Sequence, residues 1–424
     1  MLVILHIDGV TYQVADLEGK CVSLNIPVYA ANERVKIHEA AEQLYRKNFQ
    51  VDLSGCLPSN SQSIVDIYET LQDVTARKSK VVVFAFDAIS FDYFYKHMLQ
   101  FAPPTARVGA LTSVFPSTTA SAWPSILTGT RPAEHGVYGT SFRLEGVEQN
   151  YIWISNTFNH GDDRRVADAS VRLNVSDKPT MLSQLKQQGW NVYYNGNHGQ
   201  GGYNPMRAEL TKGAEHFVPT DYPSLKYKPQ QLIDCFLERT EELMHAADSP
   251  TIVWNYYDLD DFIHERGYDD LQKAVNWRAF FDSWQKLIDD DTAILLMTDH
   301  GQTSQHQCIQ NWLRITKNHP WFSADTGGAG RVLYFYPKPE FFEQALEWLK
   351  NNMRDSATIL TRAEAFDRGL FGKELKHASM PGRVGDIIAI AKTDMFISAG
   401  SDYISEHGAL TQHEMIVPFM IQEG

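Results

Sequence analysis

The feature that most constrains the fold is an alternation of apolar, strand-like segments with helical patterns, which begins near residue 80. The segments KVVVFAF, WNVYYNG, TIVWNYY and TAILLMT are apolar and rich in β-branched or aromatic residues, and the last three each follow a helical pattern. A continuous apolar run of this kind is typical of a strand buried on both faces of a parallel sheet. Strands that alternate with helices indicate an α/β domain. We therefore predict a mostly parallel central sheet flanked by helices.

This alternation also predicts how the chain of 424 residues is organised. Residues 1–79 contain short β-like pieces and two helical patterns, and no chemically suggestive group stands out in them. We interpret them as an N-terminal accessory module, or as an oligomerisation module through which the chain forms a homo-oligomer. Residues 80–424 form the main domain, and a small α+β insertion at about 310–385 interrupts it.

Composition excludes several classes of partner. The formal net charge is −14, which argues against a nucleic-acid polymer because phosphate backbones need clustered lysine and arginine. The four cysteines form no C-x-x-C pair, so neither a disulfide framework nor a thiolate zinc site is predicted. We find no signal-peptide pattern and no apolar run of membrane-spanning length, and we expect a cytoplasmic protein without a membrane partner.

Carboxylates follow three of the predicted strands. Asp87 ends the first, Asp260 lies in an aspartate-rich stretch after the third, and Asp299 ends the fourth. Sites in open parallel sheets form beyond the carboxyl ends of the strands, so these side chains should meet at one edge. Massed carboxylates repel one another unless a positive group lies among them. Although a single aspartate after a strand is usually a cap or turn residue, three of them together predict a metal site.

Histidines accompany these carboxylates. His264 follows Asp260 by four residues, so a helical turn would place both on one face. His300 directly follows Asp299, and Gly301 would permit the sharp turn that brings the two side chains together. Near the end of the chain, His407 precedes a glycine and a final apolar strand. Carboxylate and imidazole ligands without cysteine suit Zn²⁺ or Mn²⁺.

The segment VFPSTTASAWPSIL offers a nucleophile. It predicts a junction between a strand and a helix, with Thr118 or Thr119 at the junction. The dipole at a helix amino terminus favours a negatively charged oxygen, and a metal ion would lower the hydroxyl pKa much further. The alternative is structural, since threonine is a common N-cap residue. Pro124 would lie in the second turn of this helix and should bend it.

The order of these motifs resembles a known family. An aspartate after the first strand is followed by P-S-T-T-A-x-A, T-G-x-x-P-x-x-H-G, D-x-x-x-H-x-x-G, D-H-G and H-G. This order is similar to that of the nucleotide pyrophosphatase/phosphodiesterase group of the alkaline phosphatase superfamily, over residues 80–424 but not over the first 79. The resemblance implies an alkaline phosphatase-like fold and a metal-dependent hydrolase that cleaves phosphodiester or pyrophosphate bonds of small nucleotides or related esters.

The resemblance also implies a ligand set for two divalent metal ions, usually zinc, with manganese as the other option. By motif position, one ion would be bound by Asp260, His264 and His407, and the other by Asp87, Thr119, Asp299 and His300. Thr119 matches the nucleophile of the family, which forms a phosphothreonine intermediate that water then hydrolyses.

One position departs from the family. Its best-known members carry an asparagine three residues after the nucleophile, where this chain has Ala122. A donor to the phosphate oxygen must therefore come from elsewhere, such as the backbone N–H of Thr119 or Ala120, and substrate detail should not be transferred. We predict that four further residues contact the substrate, although core packing explains the aromatic ones equally well: Trp123, Tyr138, Asn197 and His198.

Two other functions stay open. The chain could be a phosphomonoesterase or phosphomutase of the same superfamily, or a regulatory binding protein with a retained metal site. A sulfatase is disfavoured because the sequence contains no C-x-P-x-R and the segment that offers the nucleophile, VFPSTTASAWPSIL, contains no S-x-P-x-R.

Overall fold

The structure is a computed structural model that describes residues 26–144, 150–158, 178–197, 205–304, 319–372, 380–392 and 403–424, together with the backbone of five short strands outside these ranges. The strands, in chain order, are β1 (Val3–Ile7), β2 (Val10–Val14), β3 (Tyr29–Ala30), β4 (Phe49–Gln50), β5 (Gly55–Cys56), β6 (Lys80–Phe86), β7 (Arg107–Thr112), β8 (Ser141–Arg143), β9 (Asn150–Ile152), β10 (Thr157–Phe158), β11 (Arg165–Val166), β12 (Asn191–Asn195), β13 (Glu215–Phe217), β14 (Thr251–Tyr257), β15 (Thr292–Thr298), β16 (Thr303–Ser304), β17 (Gln307–Cys308), β18 (Gly327–Ala329), β19 (Val332–Phe335), β20 (Ala357–Thr361), β21 (Ile387–Ala391), β22 (Met395–Phe396), β23 (Ser405–Glu406) and β24 (Ile416–Glu423).

The α-helices, in chain order, are α1 (Arg34–Asn48), α2 (Ile67–Arg77), α3 (Phe91–Tyr93), α4 (Thr119–Thr128), α5 (Pro132–His135), α6 (Met181–Gln187), α7 (Pro205–Leu210), α8 (Tyr222–Leu225), α9 (Pro229–His245), α10 (Asp260–Ala274), α11 (Trp277–Leu287), α12 (Phe342–Met353), α13 (Arg362–Asp367), α14 (Met380–Arg383) and α15 (Gln412–Met415). No helix within the described ranges is long and apolar enough to cross a membrane.

The central sheet confirms the predicted α/β fold. It has eight strands in the order β13-β12-β14-β6-β15-β24-β7-β3. The first five strands in this order, β13, β12, β14, β6 and β15, are parallel to one another. Strand β24 is antiparallel to both β15 and β7, and β3 is antiparallel to β7. The sheet is therefore mixed. The last strand, β24, enters the sheet from the edge at which β15 ends, so it runs in the opposite direction to β15.

The core lies on both faces of this sheet. All residues of β14 and β15 are buried, as continuous apolar runs predict. On one face, the rings of Phe280 and Trp284 in α11 lie 5.0 and 5.4 Å from the ring of Phe84 in β6. On the other face, α4 packs Trp123 against Tyr256 of β14 at a ring distance of 5.5 Å. Each large buried ring of this kind contributes about 1.5–3 kcal/mol to stability.

One predicted helix is two helices in the structure. The helical pattern that precedes TAILLMT, LQKAVNWRAFFDSWQKLI, is divided, because α10 ends at Ala274 and α11 begins at Trp277. Between them, the side chain of Asn276 accepts a hydrogen bond of 3.2 Å from the backbone N–H of Ala279. Asparagine is among the best N-cap residues, so this bond starts a new helix where the apolar periodicity alone predicts continuity.

A second sheet brings together two distant parts of the chain. Its order is β11-β10-β9-β8-β18-β19-β21-β20, and the described pairings within it are antiparallel. Strands of the predicted insertion thus share a sheet with the hairpins that follow α5, through the pair Gly328 and Ser141. The domain boundaries at 79 and at about 310–385 stay predictions, since shared pairing does not define where a folding unit ends.

Candidate active site

Three strand ends meet at one edge of the central sheet. Strands β14, β6 and β15 are neighbours, so the residues that follow them lie side by side. Two groups of side chains at this edge each offer three ligand atoms that lie within 4.8 Å of one another. The first group is Asp260, His264 and His407, and the second is Asp87, Asp299 and His300. The structure therefore brings together every charged residue that the sequence predicts as a metal ligand.

The first group is built on the amino-terminal turn of α10. Asp260 begins this helix and His264 follows one turn later, which places His264 Nε2 3.1 Å from Asp260 Oδ2. His407 Nε2 lies 3.5 Å from Asp260 Oδ1. Gln302 donates a hydrogen bond of 2.5 Å from Nε2 to the same Oδ1. The spacing of four residues thus has the effect that helical geometry predicts.

The second group contains the predicted nucleophile. His300 Nε2 lies 3.2 Å from Asp299 Oδ2 and 3.5 Å from Asp87 Oδ1. Thr119 Oγ1 lies 3.1 Å from His300 Nε2 and 3.3 Å from each carboxylate oxygen of Asp87. The two groups adjoin, because the rings of His300 and His407 stack at a centroid distance of 4.0 Å.

All three imidazoles are oriented in the same way. In each ring, Nδ1 lies 2.8–3.1 Å from a backbone carbonyl oxygen. The three carbonyls belong to Ser405 for His264, to Gly301 for His300 and to Ser117 for His407. A carbonyl only accepts, so each Nδ1 donates its proton and each Nε2 is directed at the carboxylates. Backbone contacts of this kind orient histidines that bind metals through the other ring nitrogen.

Burial and neighbouring negative charge disfavour the ionised forms of two carboxylates in the second group, Asp87 and Asp299. Burial, together with the charges of Asp299 and Asp260, raises the pKa of Asp87 well above its usual range. Burial and the charge of Asp260 raise the pKa of Asp299 to about 7. Asp299 Oδ2 is buried and receives no hydrogen bond from a described group. A divalent cation would complete this arrangement, since carboxylates and imidazoles are the donor set that zinc and manganese bind.

The local structure around Thr119 separates it from Thr118. Thr118 is the extended residue before α4, and its side chain makes no capping hydrogen bond but lies 3.2 Å from the Thr140 hydroxyl. Thr119 is the first helical residue, and its hydroxyl is directed at Asp87. Thr118 therefore occupies the N-cap position of α4, and Thr119 does not. Helix α4 continues through Pro124 and ends at Thr128, so the proline does not terminate it.

Glycine is required at position 301 because of close packing, and not because of the sharp turn that the sequence predicts. Its backbone is not in the left-handed region. Instead, a Cβ at this position would lie 2.0 Å from the backbone oxygen of His413 and 2.7 Å from the Cβ of Ser90. Close packing of the chain behind the site, rather than a special turn, excludes a side chain here.

Sequence reasoning missed two polar groups that contact the ligands. The Tyr256 hydroxyl donates a hydrogen bond to Asp87 Oδ2, and Gln302 binds Asp260 as described above. Tyr256 belongs to an apolar strand and Gln302 follows the D-H-G motif, so periodicity assigns the first to the core and leaves the second unmarked. Only the proximity of Gln302 to that motif offered a signal.

The side chains that the sequence predicts as substrate contacts have little surface exposed to solvent where the structure describes them. The side chains of Trp123 and Tyr138 have no exposed surface, so a substrate would reach either one only after neighbouring side chains move. Asn197 is partly buried, and its Oδ1 accepts a hydrogen bond of 2.7 Å from Arg207. His198 lies outside the described residues. Their roles as substrate contacts stay predictions.

The fold and the site define a class. An α/β sheet that carries acidic and histidine side chains at the ends of adjacent strands, next to a threonine at a helix amino terminus, is the arrangement of the alkaline phosphatase superfamily. The family model for type I phosphodiesterase / nucleotide pyrophosphatase matches residues 81–413. The chain belongs to this family and is a hydrolase. Among curated proteins, none matches the sequence significantly.

Solved structures share the fold at low sequence identity. Murine ectonucleotide pyrophosphatase / phosphodiesterase 5 is 15% identical with a TM-score of 0.55, and the match covers 82% of this chain and 88% of the murine chain. The human protein of the same name has a TM-score of 0.54 at 15% identity, with the same coverage. Phosphonoacetate hydrolase from Sinorhizobium meliloti 1021, in complex with phosphonoformate, is 18% identical with a TM-score of 0.54, over 82% of this chain and 90% of that chain.

Proposed function

We propose that the protein hydrolyses phosphodiester or pyrophosphate bonds of small nucleotides or related esters, with Thr119 as the nucleophile. The observation that carries this proposal is the position of the Thr119 hydroxyl, 3.1 Å from His300 Nε2 and 3.3 Å from both oxygens of Asp87. Nucleotide substrates are supported by a related structure, since an inactive threonine-to-alanine variant of the murine protein was solved in complex with AMP.

The residues present fit two divalent cations. Asp260, His264 and His407 would hold one, while Asp87, Asp299, His300 and Thr119 would hold the other. Such ions would lower the pKa of the Thr119 hydroxyl and neutralise charge on the phosphoryl group. Zinc is the preferred ion and manganese the alternative, because the site combines carboxylates and imidazoles without sulfur.

The side chains of the protein have defined parts in the reaction. Thr119 Oγ1 attacks phosphorus and loses its proton to water, the bond between phosphorus and the leaving oxygen breaks, and the leaving group departs after it takes up a proton. The product is a phosphothreonine that still carries the rest of the substrate. Water then attacks phosphorus, the bond to Thr119 Oγ1 breaks, Oγ1 regains a proton, and the phosphate monoester is released. Asp87 accepts the hydrogen bond of the Thr119 hydroxyl before attack, and thereby directs the oxygen lone pairs.

The first amides of α4 can supply the phosphate-oxygen donor that Ala122 lacks. The backbone N–H groups of Ser121 and Ala122 both donate to the carbonyl of Thr118 at 3.0 and 2.9 Å. Those of Thr119 and Ala120 precede these bonds, in the part of a helix where amides have no intrahelical partner. A helix amino terminus of this kind binds phosphate oxygens.

The experiment compares wild type with Thr119→Ala, and uses Thr118→Ala as the matched control. Each protein is purified with zinc or manganese, and the hydrolysis of bis-p-nitrophenyl phosphate and p-nitrophenyl phosphate is measured. We expect faster diester turnover in wild type and a loss of about a thousandfold or more in Thr119→Ala, as in hydrolases that lose their nucleophile. Thr118→Ala should retain activity.

Contrary results are equally clear. Undiminished activity of Thr119→Ala would remove Thr119 as the nucleophile, and a metal content near zero after purification in zinc would exclude the two-metal site. Faster monoester turnover would favour a phosphomonoesterase. A cytoplasmic location and a homo-oligomer, both expected from the sequence, stay predictions that cell fractionation and size-exclusion chromatography can check.

A further inference from the structure

Residues 26–79, here called the N-terminal segment, lie outside the stretch that the family model matches, which begins at residue 81. They nevertheless contact the structure that carries the proposed site. Strand β3 of this segment pairs with β7 at the edge of the central sheet, through Tyr29 and Val108. Helix α1 contributes Ile37, Ala41 and Leu44 to the same buried cluster as the sheet. The segment therefore shares its core with the main domain.

The N-terminal segment also contacts residues 407–412, here called the His407 loop. The backbone N–H of Cys56 donates a hydrogen bond of 2.8 Å to the carbonyl of Leu410. Gly55 is so close to Leu410 that a Cβ on it would lie 2.4 Å from the Leu410 Cβ and 2.7 Å from the Leu410 oxygen. Gln412 donates a hydrogen bond of 2.7 Å from Nε2 to Glu42 Oε1 in α1. The outer side of the His407 loop thus lies against the N-terminal segment.

The opposite side of the His407 loop forms hydrogen bonds with Ser117, which lies two positions before Thr119 in the chain. The Ser117 N–H donates to the Gly408 carbonyl at 3.2 Å, and the Ser117 hydroxyl donates to the Ala409 carbonyl at 2.8 Å. In return, His407 Nδ1 donates to the Ser117 carbonyl at 2.9 Å. A displacement of Leu410 would therefore be transmitted both to His407 and to the segment between β7 and α4 that leads to Thr119.

The N-terminal segment holds α4 as well. The backbone N–H of Thr112, at the end of β7, donates to the Gln62 carbonyl at 2.9 Å, and Thr112 Oγ1 accepts a bond of 2.8 Å from the Ser59 N–H. Beyond the other end of α4, Gly129 has a positive φ of 62°. A Cβ there would lie 2.8 Å from the ring of Tyr68 in α2.

We propose that the N-terminal segment is a positioning element of the active site, which holds the His407 loop and α4 so that His407 and Thr119 keep their relative places. The roles given to His407 and Thr119 rest on the proposed function. The contacts that hold them do not, so the two ideas can fail separately.

The first test uses hydrogen exchange of metal-free protein, with Gly55→Ala and the matched control Val51→Ala. Val51 lies in the same hairpin turn and is 83% exposed. The new methyl group of Gly55→Ala must displace Leu410, so we expect exchange of the amides of Ser117 and of the His407 loop to accelerate about tenfold or more. Val51→Ala should exchange as wild type does.

A second pair of variants guards against a folding failure of Gly55→Ala. Glu42→Ala removes the hydrogen bond to Gln412, whereas Glu39→Ala alters an exposed neighbour on the same helix. The loss of one hydrogen bond should accelerate exchange of the His407 loop by a factor of about 2–10 in Glu42→Ala and leave it unchanged in Glu39→Ala.

Zinc affinity links the exchange result to the site. In Gly55→Ala we expect zinc binding to weaken by about tenfold or more, with Val51→Ala unchanged, as when groups that orient metal ligands are altered. Unchanged exchange in both Gly55→Ala and Glu42→Ala, acceleration spread evenly over the chain, or faster exchange with wild-type zinc affinity would each overturn the proposal. Wild-type protein that binds neither zinc nor manganese would refute the proposed function, while the exchange data would still decide the positioning role.

Discussion

The buried ion pair between Arg331 and Glu414 allows a quantitative prediction about the free energy of unfolding. Arg331 lies in the second sheet region, and its backbone also contacts the proposed active site. Arg331 follows β18, and its backbone N–H donates a hydrogen bond of 2.9 Å to the carbonyl of His407. Its Nε lies 2.9 Å from Glu414 Oε1, and both side chains are completely buried. We consider the replacement of Arg331 by methionine, which preserves much of the side-chain volume and removes the charge.

The expected loss in the free energy of unfolding depends on the hydrogen bonds that Glu414 retains in Arg331→Met. Removing one partner of a buried ion pair costs about 3–5 kcal/mol, because the other charge stays buried. Glu414 would retain bonds from the Ala409 N–H at 2.8 Å and from the N–H and hydroxyl of Thr411 at 3.0 and 2.6 Å. These donors partly solvate the carboxylate, so we expect a loss near the lower end, about 3 kcal/mol in the free energy of unfolding.

The assay is urea-induced unfolding followed by tryptophan fluorescence, with Arg46→Met as the control. Arg46 is 78% exposed on α1, so its loss should change stability by less than about 0.5 kcal/mol. The double variant Arg331→Met/Glu414→Gln removes both charges, and it should lose less stability than the sum of the two single variants by at least about 1 kcal/mol.

Two results would refute this reasoning. A free energy of unfolding for Arg331→Met within about 0.5 kcal/mol of wild type would show that the buried charge of Glu414 does not need its partner. Strict additivity in the double variant would show that the two side chains are not coupled, whatever their distance.

Further predictions concern groups that surround the ligands. Tyr256→Phe removes the hydroxyl that donates a hydrogen bond to Asp87 Oδ2. It should weaken zinc binding by about tenfold or more in chelator competition, with the circular dichroism spectrum unchanged. A zinc affinity equal to that of wild type would exclude an orienting role for Tyr256. Gly301→Ala places a Cβ against the backbone oxygen of His413, and should lower the free energy of unfolding by about 1–3 kcal/mol or more in urea titrations, a prediction that wild-type stability would contradict.

Much of the site followed from local sequence. The strands β6, β14 and β15 are predominantly apolar, so their identity as buried strands, and the positions of Asp87 and Asp299 at their ends, needed no tertiary information. The spacing of Asp260 and His264 placed them on one helix face by helical geometry alone.

Other features depend on which strands are neighbours. The order of the central sheet brings Asp87 between the segments that follow β14 and β15, and apolar runs carry no information about this order. The same limit hid Tyr256, whose hydroxyl reaches Asp87 from a strand that reads as core. It also hid the contact between Gly55 and Leu410, which are 355 positions apart in the chain.

The sequence by itself thus determined the buried strands of the central sheet and the residues whose chemistry suits a metal ion, because these depend on periodicity and on side-chain chemistry within short stretches. The family resemblance already implied that His407 belongs with Asp260 and Thr119 with Asp87. Only the tertiary structure decided the strand order that brings these side chains together and the position of the N-terminal segment against the His407 loop. Such contacts arise from strand order and close packing between remote segments, and neither is encoded in any local pattern.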